Sequence, residues 1–129
     1  MQKEKKSKKC KRYIYDFLKF EADFLNGELT GEIKMYYVKS NNLHYEGECL
    51  NGKWNGKGKE YYWNGNIKFE GEYLDGKMWT GIGYNNTGQK EFEILNGNGY
   101  VKEFDSNGKL EYEGEYLNGK RHGKGKKYD

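Results

Sequence analysis

The stretch Tyr45-Glu46-Gly47-Glu48-Cys49-Leu50-Asn51-Gly52-Lys53-Trp54-Asn55-Gly56-Lys57-Gly58 decides how the rest of this chain is read. Its first six residues alternate, so that Tyr45, Gly47 and Cys49 share one face of an extended strand while Glu46 and Glu48 share the other. Asn51-Gly52 favours a turn with positive φ, and a turn from Asn51 to Gly56 returns the chain as a second strand over Lys57 to Tyr62. Asn64-Gly65 then reverses it again into Ile67-Lys68-Phe69-Glu70. Strand plus turn takes about 11 residues, inside the spacing of about 8–12 expected of an all-β chain.

The pattern recurs. Leu25-Asn26-Gly27, Leu50-Asn51-Gly52, Leu74-Asp75-Gly76, Leu95-Asn96-Gly97 and Leu117-Asn118-Gly119 align, with steps of 25, 24, 21 and 22 residues. The residue before each leucine is Phe24, Cys49, Tyr73, Ile94 or Tyr116, a column suited to a core, and five before it stand Phe20, Tyr45, Phe69, Lys90 and Tyr112. Glycine pairs follow as Gly56/Gly58, Gly81/Gly83 and Gly123/Gly125. Together with Gly47, Gly52, Gly71, Gly76, Gly114 and Gly119 they are the structural glycines of a tandem repeat. A residue without Cβ leaves a slot in which the ring of a neighbouring copy can lie flat, so ring over main chain replaces an oily interior. The fold expected is an elongated, single-layer antiparallel array of about five hairpins, at 20–44, 45–68, 69–89, 90–111 and 112–129 within a domain of residues 13–129, stabilised by contacts between neighbours.

Composition agrees with a sheet. Only 34% of the 129 residues are apolar, which alone would suggest disorder, but aromatics reach 17%, and 19 glycines occur with no proline. The net charge of +3 is uneven: residues 1–12 hold Lys3, Lys5, Lys6, Lys8, Lys9, Lys11 and Arg12 against Glu4, and the remainder holds 16 basic and 19 acidic residues. This basic arm is expected to be unstructured, either as a solubilising tail or as a contact for anionic phospholipid. The negative body disfavours nucleic acid, although aromatics interleave with bases in Lys57-Gly58-Lys59-Glu60-Tyr61-Tyr62-Trp63. No run approaches 18 apolar residues and no apolar segment follows the basic start, so a cytoplasmic place is expected, with membrane or cytoskeletal contact at most peripheral. Cys10 and Cys49 form no disulfide framework, and Cys49 reads as a small buried apolar residue.

Catalytic patterns fail one by one. The pairs Glu46/Glu48, Glu70/Glu72 and Glu113/Glu115 invite a general acid and base, but a motif repeated on a solvated face gives each copy the same ordinary environment. They are read instead as partners of Lys57, Lys59, Lys124 and Lys126 on the next strand. Gly47…Gly52-Lys53, Gly71…Gly76-Lys77 and Gly114…Gly119-Lys120 mimic a phosphate loop, yet Trp54, Met78 and Arg121 stand where Ser or Thr is needed. His44 and His122 have no metal-ligand spacing with either cysteine, and Ser7, Ser40 and Ser106 have no nucleophile context. No metal, cofactor or enzymatic activity is expected.

The segments Tyr45-Glu46-Gly47-Glu48…Asn51-Gly52-Lys53…Gly56-Lys57-Gly58 and Tyr112-Glu113-Gly114-Glu115-Tyr116…Asn118-Gly119-Lys120-Arg121-His122-Gly123-Lys124-Gly125 resemble MORN (membrane occupation and recognition nexus) repeats. The resemblance runs over about residues 20 to 129, close in the second, third and fifth copies and loose in the first and fourth. It implies a twisted single-layer β array that acts as a scaffold or adaptor, binding proteins, dimerising through its ends or associating with membranes. The shorter copies are similar to the bacterial variant, which implies an antitoxin-like inhibitory binder as an alternative.

A protein partner is therefore expected, captured by Trp54 and Trp79, in or beside turns, with Tyr62 and Tyr84. Tyr45, Phe69, Tyr73 and Tyr112 read as core. In copies one and four, Ala22 and Phe92 replace the glycine at Gly47 and Gly71, and four residues are missing between Leu95 and Gly99, which collapses that loop to a tight Asn96-Gly97 hairpin. Stacking should be disturbed at both places, as a kink, a cap or a site. The last strand is an edge that lysines protect from pairing, or that pairs end to end as a homodimer.

Overall fold

Asn51 and Gly52 take φ values of 52° and 80°, and Leu50 pairs directly with Lys53 across them. That is the primed two-residue turn whose twist matches the flanking strands. It recurs at Asp75-Gly76 (53°, 84°), Asn96-Gly97 (50°, 82°) and Asn118-Gly119 (53°, 80°). The turn expected to fill Asn51 to Gly56 is thus two residues long. Pairing resumes at Lys53 because only these two residues need the left-handed region, and a bulge opposite Gly47 to Cys49 absorbs the rest of the twist.

The computed structural model describes residues 6–15, 18–25 and 28–129, with the side chains of Ala22 and of residues 30–129. The described strands are β1 (Lys6–Tyr15), β2 (Leu18–Leu25), β3 (Glu28–Tyr37), β4 (Leu43–Leu50), β5 (Lys53–Tyr61), β6 (Ile67–Leu74), β7 (Lys77–Tyr84), β8 (Lys90–Ile94), β9 (Gly99–Phe104), β10 (Leu110–Leu117) and β11 (Lys120–Lys127). Strands β1 to β8 form one antiparallel sheet in chain order, and β9 to β11 form a second, joined to the first by an isolated bridge between Leu95 and Asn98. Residues 6–12, set apart by charge as an arm, begin β1 and pair with β2, with Lys11 opposite Ala22. A neighbouring strand supplies main-chain partners whatever the side chains, and lysine is at home on such an edge. Lys3 and Lys5 lie outside the described residues.

A single row crosses the large sheet: Ala22 opposite Ile33, Ile33 opposite Gly47, then Gly58, Gly71, Gly81 and Ile94. Over this row lie the rings. A Cβ on Gly58 would stand 2.7 Å from Cε1 and Cζ of Tyr45, and one on Gly81 would stand 2.7 Å from Cζ of Phe69. Rings therefore lie on glycines of their own hairpin, where a copy-to-copy contact was expected, because Tyr45 faces the strand that its own turn brings back. Gly83 differs in taking Phe92 from the next hairpin. Tyr45, Phe69, Tyr73 and Tyr112 are all buried, as is Cys49.

The departures in copies one and four have distinct outcomes. Ala22 and Ile33, both buried, occupy the row that glycines occupy elsewhere. In copy four the ring has moved two residues along, from the position of Lys90 to Phe92, and stacks on Phe69 at 6.2 Å and 20°. The four missing residues shorten the strand pair rather than the turn, and the large sheet ends there.

Both edges of the array are stitched. On the primed-turn edge, Gly76 N–H donates to Trp54 O (2.8 Å), Gly97 N–H to Trp79 O (2.7 Å) and Gly119 N–H to Gly97 O (2.8 Å). Side-chain oxygens of the preceding copy cap the residue before each glycine: Asn55 on Asp75, Thr80 on Asn96 and Asn98 on Asn118. On the opposite edge asparagine amides bridge successive loops, from Asn42 to Trp63 O, Asn64 to Asn86 O and Asn86 to Asn107 O. The sheet also coils enough for non-adjacent copies to meet: Trp63 N–H donates to Ser106 O at 3.0 Å, and the Tyr37 hydroxyl lies 3.3 Å from Ser106 Oγ.

Candidate functional site

Coiling turns the ringed face inward and makes a trough between β4–β7 and β9–β10. On one side Trp54 stacks on Tyr45 with centroids 4.0 Å apart and planes 3° apart, and Tyr73 meets both rings edge-on at 5.5 and 5.4 Å. Met78 continues this wall, and Phe104 and Tyr116 face it, enclosing about 420 Å³.

Glu60, Lys68 and Glu103 in the trough are paired within the chain. Glu60 accepts the Tyr73 hydroxyl (3.3 Å) and pairs with Lys68 (3.6 Å). Glu103 accepts both Nε (2.8 Å) and Nη2 (2.7 Å) of Arg121, together with the Tyr116 hydroxyl. Burial pushes the Glu103 carboxyl up, but the Arg121 fork and Tyr116 more than reverse it and hold the group below its usual range. Burial and the neighbouring Glu60 raise the Tyr73 hydroxyl well above its ordinary value. These groups fix ring positions and offer a partner little open charge.

Similar pairs recur on the outer face, where Tyr61 donates to Glu46 (2.7 Å), Tyr84 to Glu70 (3.2 Å) and Tyr128 to Glu113. Copy four has Glu91 in this position, and Lys102 (2.9 Å) and Asn85 (2.9 Å) replace the tyrosine and hold the Glu91 carboxyl below its ordinary value. Three of the first glutamates of the repeated pairs thus share one tyrosine-bound environment. The lysine partners expected for them are opposite in register, Glu46 with Lys59 and Glu113 with Lys126, while the hydroxyls take the hydrogen bonds. The sequence signal was present as a tyrosine 14 or 15 residues after the glutamate.

The expected partner residues do not form one patch. Trp54 is in the trough wall. Trp79 packs against Gly97 and Gly119 of the following turns. Tyr62 is fully buried, donates to Tyr84 O and meets Phe104 edge-on, so it cannot serve as a surface anchor. Tyr84 is half-buried against Glu70. Sequence reading missed Met78, Phe104 and Tyr116, since only the coil brings β9 and β10 opposite β5 to β7. Of the basic residues, Lys6, Lys8, Lys9, Lys11 and Arg12 are on β1, with side chains outside those described.

A wider concavity of about 640 Å³ lies on the outer face above Gly47, Gly58, Gly71 and Gly81. Its walls are the charge rows of Glu46, Lys59, Glu70, Lys57 and Glu72, and it holds no ring, so the trough is the better candidate for an apolar anchor. Among the described residues no group of three or more His, Cys, Asp or Glu is placed to hold a metal ion, and no helix is long and apolar enough to cross a membrane.

Ring-on-glycine hairpins in sequence order, stitched turn to turn, define a tandem β-hairpin repeat protein. The family model for the MORN repeat matches residues 45–67 and 112–129, so these two segments are similar to MORN repeats. The matched segments cover most of β4–β5 and β10–β11, the hairpins in which a tyrosine lies over glycines of both its strands: Tyr45 on Gly47 and Gly58, Tyr112 on Gly114 and Gly125. No curated protein matches the chain.

Proposed function

We propose that this protein is a non-catalytic scaffold or adaptor that binds another protein through its inner trough. The observation behind this reading is an aromatic cleft of about 420 Å³ in which Glu60 and Glu103 are already paired from within, while Glu111 is exposed. Such a cleft suits one or two large apolar side chains of a partner, with Trp54, Met78 and Tyr116 as its contacts. Acid–base chemistry would need a titratable group in a singular environment, whereas the pairings Tyr73–Glu60 and Tyr116–Glu103 repeat at the same spacing. A cytoplasmic setting accompanies this reading.

A photo-crosslinking residue at the exposed trough position Glu111, compared with one at the exposed outer position Glu72, tests it in extract of the native cell. A discrete adduct from position 111 alone is expected. Adducts from both positions, or from neither, would remove the trough from consideration.

The cationic run Lys3 to Arg12 supports a second reading, contact with anionic phospholipid, at about 1 kcal/mol per base near such a surface. Changing Lys6, Lys8, Lys9 and Lys11 to Gln should abolish sedimentation with phosphatidylserine vesicles at low salt. Undiminished sedimentation rules that contact out.

A further inference from the structure

Strand β11 reads Lys120-Arg121-His122-Gly123-Lys124-Gly125-Lys126-Lys127, and all eight residues are exposed. It pairs with β10 on one side, and among the described residues no strand lies along the other. Its main-chain N–H and C=O groups on that side are open to another extended chain. Five of the eight residues are cations and none is acidic. Arg121 is engaged by Glu103 and by the Tyr112 ring, 4.2 Å from its guanidinium. Lys126 stands opposite Glu113, but that carboxylate holds the Tyr128 hydroxyl. Among the described residues no ion pair engages Lys120, Lys124, Lys126 or Lys127.

We infer that β11 is a docking edge for an acidic, extended segment of a partner protein, which adds to the small sheet as a further strand. The register favours Lys124 to Lys127, because Gly123, at φ 65°, sits where the ladder with β10 shifts and regular pairing holds over Gly125 to Lys127. Lys124 and Lys126 project from one face there, so acidic residues at alternate positions of the incoming strand meet both. A second copy is a poor occupant, since β11 against β11 opposes like charges, and so does β11 against the Lys-Ser-Lys-Lys-Cys-Lys-Arg run of β1. A phosphate-bearing surface would meet the lysines but leave the open main-chain groups unused, which favours a polypeptide.

The test titrates the full chain with an acetylated, amidated peptide of four Glu-Thr repeats and with a twin methylated on its backbone nitrogens. Charge is equal in the two, but the twin cannot donate main-chain hydrogen bonds. The parent peptide should bind, more weakly as salt rises, and protect β11 amides from hydrogen exchange. The twin, and separately a Lys124→Gln/Lys126→Gln chain, should each bind about tenfold more weakly or worse. The thermal midpoint of that variant should be retained, and crosslinking from Glu111 in the trough should continue undiminished. No binding of the parent peptide, equal binding of the twin, protection in the trough instead of β11, or equal protection of β11 amides by phosphatidylserine vesicles or an oligothymidylate would overturn the inference.

Discussion

Hairpin β4–β5 and hairpin β8–β9 perform the same task with different residues. In the first, Tyr45 stands five residues before its leucine, covers Gly47 and Gly58 of its own hairpin and carries Trp54 on it. In the second, Lys90 occupies the ring position, and Phe92, three before Leu95, covers Gly83 of the preceding hairpin. The ring can thus be supplied from either side of the glycine it covers. What these two hairpins share is the contact of a flat side chain with bare main chain, and the residue that provides it can change.

The largest effect should come from closing a slot. Gly58→Ala places a methyl group against the Tyr45 ring, which Trp54 stacking leaves little room to move, and should cost about 2–4 kcal/mol in denaturant unfolding. Gly88→Ala, where a Cβ meets nothing but φ is +92°, should cost only about 1 kcal/mol. Equal losses at the two positions would refute the slot. Truncation of the rings comes next: Trp54→Ala and Phe92→Gly should each lower stability by about 2–4 kcal/mol. Adding Lys90→Tyr to the Phe92 variant should recover part of that loss, by restoring in copy four the arrangement of copy two. A thermal transition left in place by Trp54→Ala would return Trp54 to the role of a free surface anchor.

A smaller effect is titratable. His44 lies 2.9 Å from the Tyr37 hydroxyl, and burial holds its pKa below the ordinary imidazole value, with Glu60 opposing and Lys68 reinforcing that shift. The unfolded chain therefore binds the proton more readily, so stability should decline as pH falls through about 6.5, and His44→Gln should flatten that decline. Smallest of all is the pair Lys53–Asp75, at 3.3 Å with both side chains largely exposed. Asp75→Asn should shift stability by less than about 0.5 kcal/mol and retain its turn.

Much of this fold was legible because register survives substitution. Leucines spaced 21 to 25 residues apart marked the hairpins, yet Leu50, Leu74, Leu95 and Leu117 are exposed by 49%, 45%, 65% and 43%, so the markers are not the core. Alternation placed Tyr45, Cys49 and Tyr73 inward, as found. The anchors were less legible, because proximity to a turn suggested exposure for Trp54 and Trp79, whereas Trp54 stacks on Tyr45 of its own hairpin and meets Tyr73 of the next, and Trp79 packs against the following turns. Tyr62 is buried for the same reason: its cover, Phe104 and the Tyr84 carbonyl, comes from later repeats. Contacts such as Trp63 with Ser106 span two copies, and periodicity within one copy carries no information about them.

The stitching of the primed turns bears on how such a protein can change over generations. Gly76, Gly97 and Gly119 each dock on a main-chain carbonyl, a group that every residue possesses. Adding or losing a whole hairpin therefore keeps this main-chain contact at the new junction, and the side-chain cap that Asn55, Thr80 or Asn98 supplies can be met by more than one residue type. Array length can drift while each surviving copy keeps its fit, and a binding surface can be lengthened or trimmed one hairpin at a time.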